Sequence, residues 1–191
     1  MHTIEPYYNW RHFYIAEEDE LSPFYEREHS EFEYTDVIYD HYIHPQWDYF
    51  GSDTLYLKVI YCNYENGVAF IEFLGEWNDC LYNDIMFLKR DVIEPMMSAG
   101  IHKFVLIGEN VLNFHYSDDS YYDEWFEEVM DLDGYIVLLN FREHVLQEFK
   151  NGGIEQYFLS GEGFKKINWR TEDPRKITKE LDQFIQLKLG N

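Results

Sequence analysis

The chain has 191 residues, of which 46% are hydrophobic and 19% are aromatic, and its formal net charge at pH 7 is −22. Disordered acidic proteins contain far fewer hydrophobic residues, so we expect a folded chain with a full core. A surface this negative repels nucleic-acid phosphates and anionic lipids, which argues against direct binding to either. The charge promotes solubility and favours a basic protein partner.

The cysteines and the apolar stretches indicate the compartment. Cys62 and Cys80 form no Cys-x-x-Cys pair, which argues against a structural zinc site or a disulfide framework, and free thiols suit a reducing cytoplasm. The first residues lack the basic start and apolar run of a signal peptide. No apolar stretch approaches the ~20 residues needed to span a bilayer. We therefore expect a soluble cytoplasmic protein.

Residues 1–50 differ from the rest of the chain. They contain 14 aromatic residues and almost no aliphatic periodicity, and three prolines divide them into short pieces. This composition predicts an irregular, acidic and aromatic N-terminal arm whose rings pack against a main domain formed by residues 51–191. Within the arm, "DVIYDHYI" (36–43) predicts a short strand with Val37, Tyr39 and Ile43 on one face and Asp40 on the other.

From residue 54 the pattern becomes regular. Two runs rich in β-branched and aromatic residues, 54–62 and 68–77, are separated by a segment that ends in Asn-Gly, which predicts a hairpin. Apolar residues recur every three or four positions over 80–98, which predicts a helix that Pro95 distorts and Gly100 ends.

The rest of the chain alternates between strand and helix patterns. The apolar runs 103–108 and 135–140 predict buried parallel strands. Further patterns predict helices beginning near residue 120, over 141–149 and from Asp173-Pro174, and a short strand at 156–160. The predicted fold is therefore α/β, with a hairpin followed by a mostly parallel sheet and covering helices.

This order of elements, over about 54–189, resembles the STAS domain, the sulfate-transporter and anti-sigma-factor-antagonist family. The stretch "KFVLIGENVLNFHYSDDSYYDEWF" (103–126) looks like the family's strand, intervening apolar stretch and loop–helix junction. In that family the junction carries an Asp-Ser-Ser/Thr-Gly motif, and its serine is a phosphoacceptor that controls partner binding. The resemblance implies a regulatory, protein-binding role, with Ser117 and Ser120 near the contact.

Residues 113–128 combine two serines with six acids. From Tyr122 the apolar side chains repeat at helical spacing, so the acids fall mainly on the opposite, solvated face. Ser120 is the predicted N-cap, and Asp123 lies three residues later as in a capping box. An EF-hand starting at Asp119 would need an acid at its third position, where Tyr121 stands. The stretch predicts a capped helix start and no metal site.

Polar side chains follow both predicted parallel strands. Glu109 and Asn110 follow the first strand, Asn140 and Arg142 follow the second, and His115 lies farther along. Ligands of open α/β sheets bind beyond the carboxyl ends of the strands, so these residues are candidate ligand or partner contacts. A cation in a helix's first turn opposes the dipole, so Arg142 either pairs with a carboxylate such as Glu109 or awaits an anionic ligand.

Three functional hypotheses follow. The first is a non-enzymatic regulatory domain that acts through protein contacts. The second is a small-molecule-binding or enzymatic domain that uses the strand-end edge, for which a deep pocket would be evidence. The third is an acidic decoy for a nucleic-acid-binding protein, for which a flat acidic face with phosphate-like spacing would be evidence. The sequence contains no recognisable catalytic motif, and we predict no cofactor.

Added calcium or manganese should leave the melting temperature of the protein unchanged, because the acids at 113–128 lack the spacing of a cation-binding loop. Differential scanning calorimetry with and without each ion measures this. A metal-dependent rise that Asp118→Asn or Asp119→Asn abolishes would contradict the interpretation.

Overall fold

Four strands form the main sheet, in the order β3 (Leu55–Asn63), β4 (Val68–Asn78), β5 (Lys103–His115) and β6 (Tyr135–Leu139). The structure is a computed structural model that describes residues 4–161, 163–164 and 167–189. Strands β3 and β4 are antiparallel, whereas β4 pairs with β5, and β5 with β6, in parallel. The predicted α/β class is confirmed, with a hairpin beside two parallel strands.

The segment after β4 is helical but not one helix. It contains α1 (Asp79–Tyr82), α2 (Asp84–Phe87), a π-helix (Leu88–Ile93) and α3 (Glu94–Ser98). The break between α1 and α2 lies at Asn83, whose φ is +54°. Proline lacks an N–H and its ring clashes with the carbonyl four residues earlier, so Pro95 favours a wider turn before it. The prediction that 80–98 is helical was therefore right, but the prediction of a single helix was wrong.

The later helices are α4 (Ser120–Asp131), α5 (Glu143–Asn151) and α6 (Pro174–Leu189). Each begins within two residues of its predicted start. The predicted strand at 156–160 is instead a 3-10 turn, Glu155–Tyr157, followed by a single parallel bridge between Leu159 and Val137. The segment adds only one rung to the edge of β6.

Strand β5 is longer than predicted. Its apolar run ends at Gly108, but main-chain pairing with β4 continues to His115. Pairing with β6 ends at Ile107, so the second half of β5 has one open edge. Side chains of α5 bond to the main chain there: His144 Nε2 lies 2.6 Å from the carbonyl oxygen of Leu112, and the N–H of Phe114 donates to Glu148 at 2.8 Å.

The N-terminal arm contains little regular structure. It has a 3-10 turn, Ala16–Glu18, and a hairpin of two short strands, β1 (Val37–Ile38) and β2 (His41–Tyr42). Ile38 and Ile43 are buried, whereas Val37 and Tyr39 are exposed, so the three residues predicted to share a face do not. The predicted face was wrong because the chain reverses at Tyr39, so the alternation of one continuous strand does not apply.

The core lies on both faces of the sheet, and the arm contributes to it. On one face, Phe24 and Phe50 join the cluster around Trp77 and Trp125. On the other, Trp10 packs with the side chains of β3, β4 and α6. Burial of the arm's rings is uneven: Trp10, Phe24, Trp47 and Phe50 are buried, while Tyr8, Tyr25, Phe32, Tyr39, Tyr42 and Tyr49 are exposed. The expectation that the arm's rings are largely buried therefore holds for only some of them.

Replacing Trp10 by alanine should lower the free energy of unfolding by about 3–5 kcal/mol, because a large ring leaves the core. Trp10 is 2% exposed, and its indole N–H donates to the carbonyl oxygen of Glu172 at 3.1 Å. Phe32→Ala is the matched control, since Phe32 is an arm ring with 85% exposure, and its cost should stay below about 0.5 kcal/mol. Urea unfolding measures both, and equal costs would contradict the packing described here.

Candidate functional site

The structure brings three of the predicted edge residues together, at Glu109. Its carboxylate accepts bonds from Asn140 Nδ2 at 2.9 Å, Trp169 Nε1 at 2.7 Å and Arg170 at 2.8 Å. Arg142 contacts the main chain of Glu109 instead, donating from Nε to its carbonyl oxygen at 3.1 Å. The suggested carboxylate partner of Arg142 is therefore taken by Arg170, which the sequence argument did not include.

The same network extends to Glu72 on β4, which has no solvent-exposed surface. Its carboxylate accepts a bond from Arg170 at 3.2 Å and from the main-chain N–H of Tyr7 at 2.8 Å. Burial raises the pKa of Glu72 to about 7, against the lowering effect of these two donors. Burial acts in the same direction on Glu109, but the donors around it hold its pKa below the ordinary value. These contacts tie the arm, the sheet and the segment before α6 together.

A second buried acid lies where β4 leads into α1. Asp79 accepts bonds from the hydroxyl of Tyr122 at 2.5 Å, from the indole of Trp77 at 3.1 Å and from the N–H of Ile85 at 2.9 Å. Burial nevertheless raises its pKa to about 7. Nearby Asp84 is fully buried, accepts from the N–H of Asn78 at 2.6 Å and has a pKa raised to about 6 by burial. Asp79 thus links α1 to α2 and α4, and Asp84 links α2 to the end of β4.

A cleft of about 610 Å³ opens at the carboxyl ends of β4 and β5. We call it the strand-end cleft. It contains His115, the one predicted edge residue that lines it. Its lining comprises Tyr39, Glu76, Asn78, Cys80, Leu81, Phe114, His115, Tyr116, Glu148 and Asn151.

The strand-end cleft combines exposed apolar groups with carboxylates. Leu81 is 74% exposed, Tyr39 is 65% exposed and Tyr116 is 46% exposed. Glu76 accepts from the hydroxyl of Tyr39 at 2.5 Å and from the amide of Asn113 at 2.7 Å, and Glu148 accepts from a main-chain N–H. Within the described residues neither carboxylate has an ion pair, so both keep an uncompensated negative charge beside apolar surface.

The two candidate serines lie on the exposed loop that leaves β5. Ser117 and Ser120 are both exposed, and Ser120 is the first residue of α4 and not its cap. The N–H of Ser120 donates to Asp118 at 3.1 Å, and bonds from Ser120, chiefly from its hydroxyl, lower the pKa of Asp118. The predicted Ser120 cap is therefore wrong, because the side chain two residues earlier is the acceptor. Asn110 lies within β5, opposite Leu74.

Part of the acidic surface of α4 is paired. Lys89 in the π-helix is fully buried, and its ammonium lies 3.1 Å from Glu94, 3.4 Å from Glu124 and 2.9 Å from Glu128. Arg90 also contacts Glu124, at 2.9 Å. The acids of α4 were predicted to lie mainly on a solvated face, and Glu124 and Glu128 are partly exposed but also paired. Sequence spacing within one helix does not reveal a cation on another.

One group of side chains has the composition of a metal site. Carboxylate oxygens of Glu17 and Asp48 and a ring nitrogen of His29 lie within 4.8 Å of one another. Lys58 is nearly buried and contacts both carboxylates, at 3.1 Å from Asp48. Its ammonium supplies the positive charge that the carboxylates need, so a metal ion would have to displace it.

No protein-family model and no curated protein sequence matches this chain. Among the described helices, none is both long enough and apolar enough to cross a bilayer.

The stability of the protein should fall as the pH rises from about 5 to about 8. Burial raises the pKa of Glu72 and Asp79 to about 7 and that of Asp84 to about 6, from ordinary values near 4. The folded chain therefore binds more protons than the unfolded chain in this interval, and the stabilising contribution is lost as the groups ionise. Each titrating group contributes a slope of up to about 1.4 kcal/mol per pH unit.

Urea unfolding at a series of pH values measures this slope, in about 0.5 M salt to screen the general negative charge. Glu72→Gln should make the slope smaller, because it removes one titrating group and leaves Arg170 its bond to Glu109. A stability that increases from pH 5 to pH 8 would contradict the assignment.

Proposed function

We propose that this chain is a protein-binding domain, and that the strand-end cleft receives a partner segment carrying both basic and apolar side chains. The observation that carries the proposal is the grouping, in one cleft, of exposed Leu81, Tyr39 and Tyr116 with two carboxylates. These belong to Glu76 and Glu148, and neither has an ion pair among the described residues. Exposed apolar surface that adjoins polar groups is typical of interaction sites.

Charge determines the chemistry of the partner. The chain carries 37 acidic and 15 basic residues, so its overall charge favours the approach of a basic segment over that of an acidic one. At the cleft itself, lysine or arginine side chains of the partner would pair with Glu76 and Glu148. Leucine or aromatic side chains would cover Leu81 and Tyr116. The combination explains why both kinds of residue occur at one edge.

The STAS resemblance is part of this proposal. It implies a hairpin followed by parallel strands, with partner binding controlled from the loop between the first strand after the hairpin, here β5, and the next helix. In this chain that loop carries Ser117 and Ser120, and it directly follows His115 and Tyr116 of the cleft. A partner held at the cleft would therefore also contact this loop.

Selection of a displayed random peptide library against the full chain tests the proposal. We expect enrichment of peptides that combine lysine or arginine with leucine or aromatic residues. Leu81→Ser should weaken the selected peptides about tenfold or more, because it removes the most exposed apolar contact, and Glu148→Gln should weaken them less and mainly at low salt. Isothermal titration calorimetry of the synthetic peptides gives the affinities.

Leu132→Ser is the matched control, since Leu132 is also an exposed leucine, at 51%, but lies after α4 and outside the cleft. Peptides that bind this variant and the unmodified chain equally, while failing on Leu81→Ser, support the cleft. Equal weakening by both leucine variants, or binding unaffected by either, would show that the chain attracts basic peptides only through its overall charge.

A further inference from the structure

The outer edge of β3 is only partly covered by the arm. Asp48 and Leu57 exchange both main-chain hydrogen bonds, at 2.8 and 3.1 Å, in a single antiparallel bridge. The N–H and C=O of Leu57 therefore point away from β4. The register with β4 is regular from Leu57 to Val59 and shifts only after it, between Val59 and Tyr61. Since main-chain groups alternate in direction along a regular strand, those of Val59 point to the same outer edge.

Among the described residues of the arm, none continues the pairing at Val59. The antiparallel register set by Asp48 and Leu57 would place Gln46 opposite Val59. Instead the arm turns, with the N–H of Trp47 bonding to the carbonyl oxygen of His44 at 3.2 Å across Pro45. Within the described part of the chain, no hydrogen bond from outside the main sheet reaches the main chain of Val59.

A cleft of about 260 Å³ occupies this position, and we call it the arm cleft. Its lining comprises Glu5, Pro6, Tyr7, Tyr8, Arg11, Tyr14, Ile15, Ala16, Glu17, His44, Gln46, Lys58, Val59 and Ile60. One wall is the edge of β3 and the other is the arm, with tyrosine rings among the lining side chains. Val59 is one of the lining residues, and within the described residues no group outside the main sheet bonds to its main-chain N–H or C=O. The space lies where a neighbouring strand would run.

The charges in the arm cleft are unequally matched. Lys58 is held by Glu17 and Asp48, and His44 lies 3.4 Å from Glu5. Arg11 bonds to the neutral side chain of Gln46 at 3.1 Å and, among the described residues, has no carboxylate partner. A guanidinium that has no carboxylate partner within the described residues, beside the open edge, favours a ligand with a carboxylate.

We propose that the arm cleft binds a short extended peptide, which adds to the edge of β3 by bonding to the main chain of Val59 and places a carboxylate against Arg11. Edge-strand addition of this kind takes its affinity from main-chain hydrogen bonds and its selectivity from the side-chain surroundings. The site lies at the β3 edge of the sheet and shares no residue with the strand-end cleft, so it goes beyond the proposed function.

The test uses the full ¹⁵N-labelled chain and the tripeptide acetyl-Val-Ala-Val with a free C-terminal carboxylate. We expect a saturable shift of the Val59 amide resonance on titration. The corresponding C-terminal amide should bind about three- to fivefold more weakly, the size of an exposed ion pair. Arg11→Gln should remove this difference between acid and amide without abolishing binding of either.

Val59→Pro removes the outward N–H and should abolish binding, followed by the shifts of neighbouring amides. Proline is tolerated at an edge position whose N–H makes no bond within the sheet, and Val59→Ile, which keeps the N–H, should bind normally. If Val59→Pro does not fold, the Arg11→Gln comparison still decides the matter.

Two results would overturn the proposal: no shift of the Val59 resonance at millimolar peptide, or acid and amide binding equally to the unmodified chain. Shifts confined to His115 and Tyr116 would place the tripeptide in the strand-end cleft, which contradicts this inference and leaves the proposed function standing. Conversely, failure of the library selection would not change the expectation at Val59.

Discussion

The carboxylate of Glu72 lies at the centre of β4 with no exposed surface, and a carboxyl group there must be protonated or matched by donors. Two parts of the chain far from β4 in sequence supply these donors: the main chain of Tyr7 and the guanidinium of Arg170. Arg170 also bonds to Glu109 and stacks over Trp169, with 4.4 Å between the guanidinium carbon and the ring centroid. The carboxylate of Glu72 thus connects the N-terminal arm and the segment before α6 to this face of the sheet.

The same covering explains why the predicted polar edge is not an open site. Glu109 and Asn140 lie together as the strand order predicts, yet Trp169 and Arg170 close over them. Asn140 has a φ of +55°, a conformation that a non-glycine residue adopts at some cost, and its amide bonds to Glu109. The open part of the carboxyl-end edge lies at the ends of β4 and β5. There β5 extends beyond the end of β6, and residues of β5, α1 and α5 line the strand-end cleft.

The arm covers apolar side chains on both faces of the sheet, but it covers only part of the outer edge of β3. Its buried rings complete cores that the sheet alone would leave exposed to water, and its Asp48 covers one rung of the β3 edge. An uncovered edge strand is a template for pairing with another chain. Because Pro45 and the turn around it draw the arm away from Val59, the cover is incomplete at one place, and a tyrosine-lined cleft lies there.

The sequence by itself determined the class of the fold and the position of most elements. Hydrophobic periodicity, an Asn-Gly turn and an Asp-Pro helix start are local features, and the helices and strands they predict depend on the same local geometry. The full length of β5 did not follow, because pairing with β4 carries polar residues such as Asn113 into a strand that the apolar run alone would end at Gly108.

Only the tertiary structure decided which polar groups are buried and which are available. The spacing of apolar residues predicts that Glu124 faces solvent. In the folded chain, Lys89 of the π-helix lies beside its carboxylate. The sequence suggests the carboxylate of Glu109 as a partner for Arg142. In the folded chain this carboxylate binds Arg170, which lies 61 residues from Glu109 in the sequence. The energy of a charge depends on its distance from every other charge and from water, and those distances are fixed by packing between segments that are remote in the sequence.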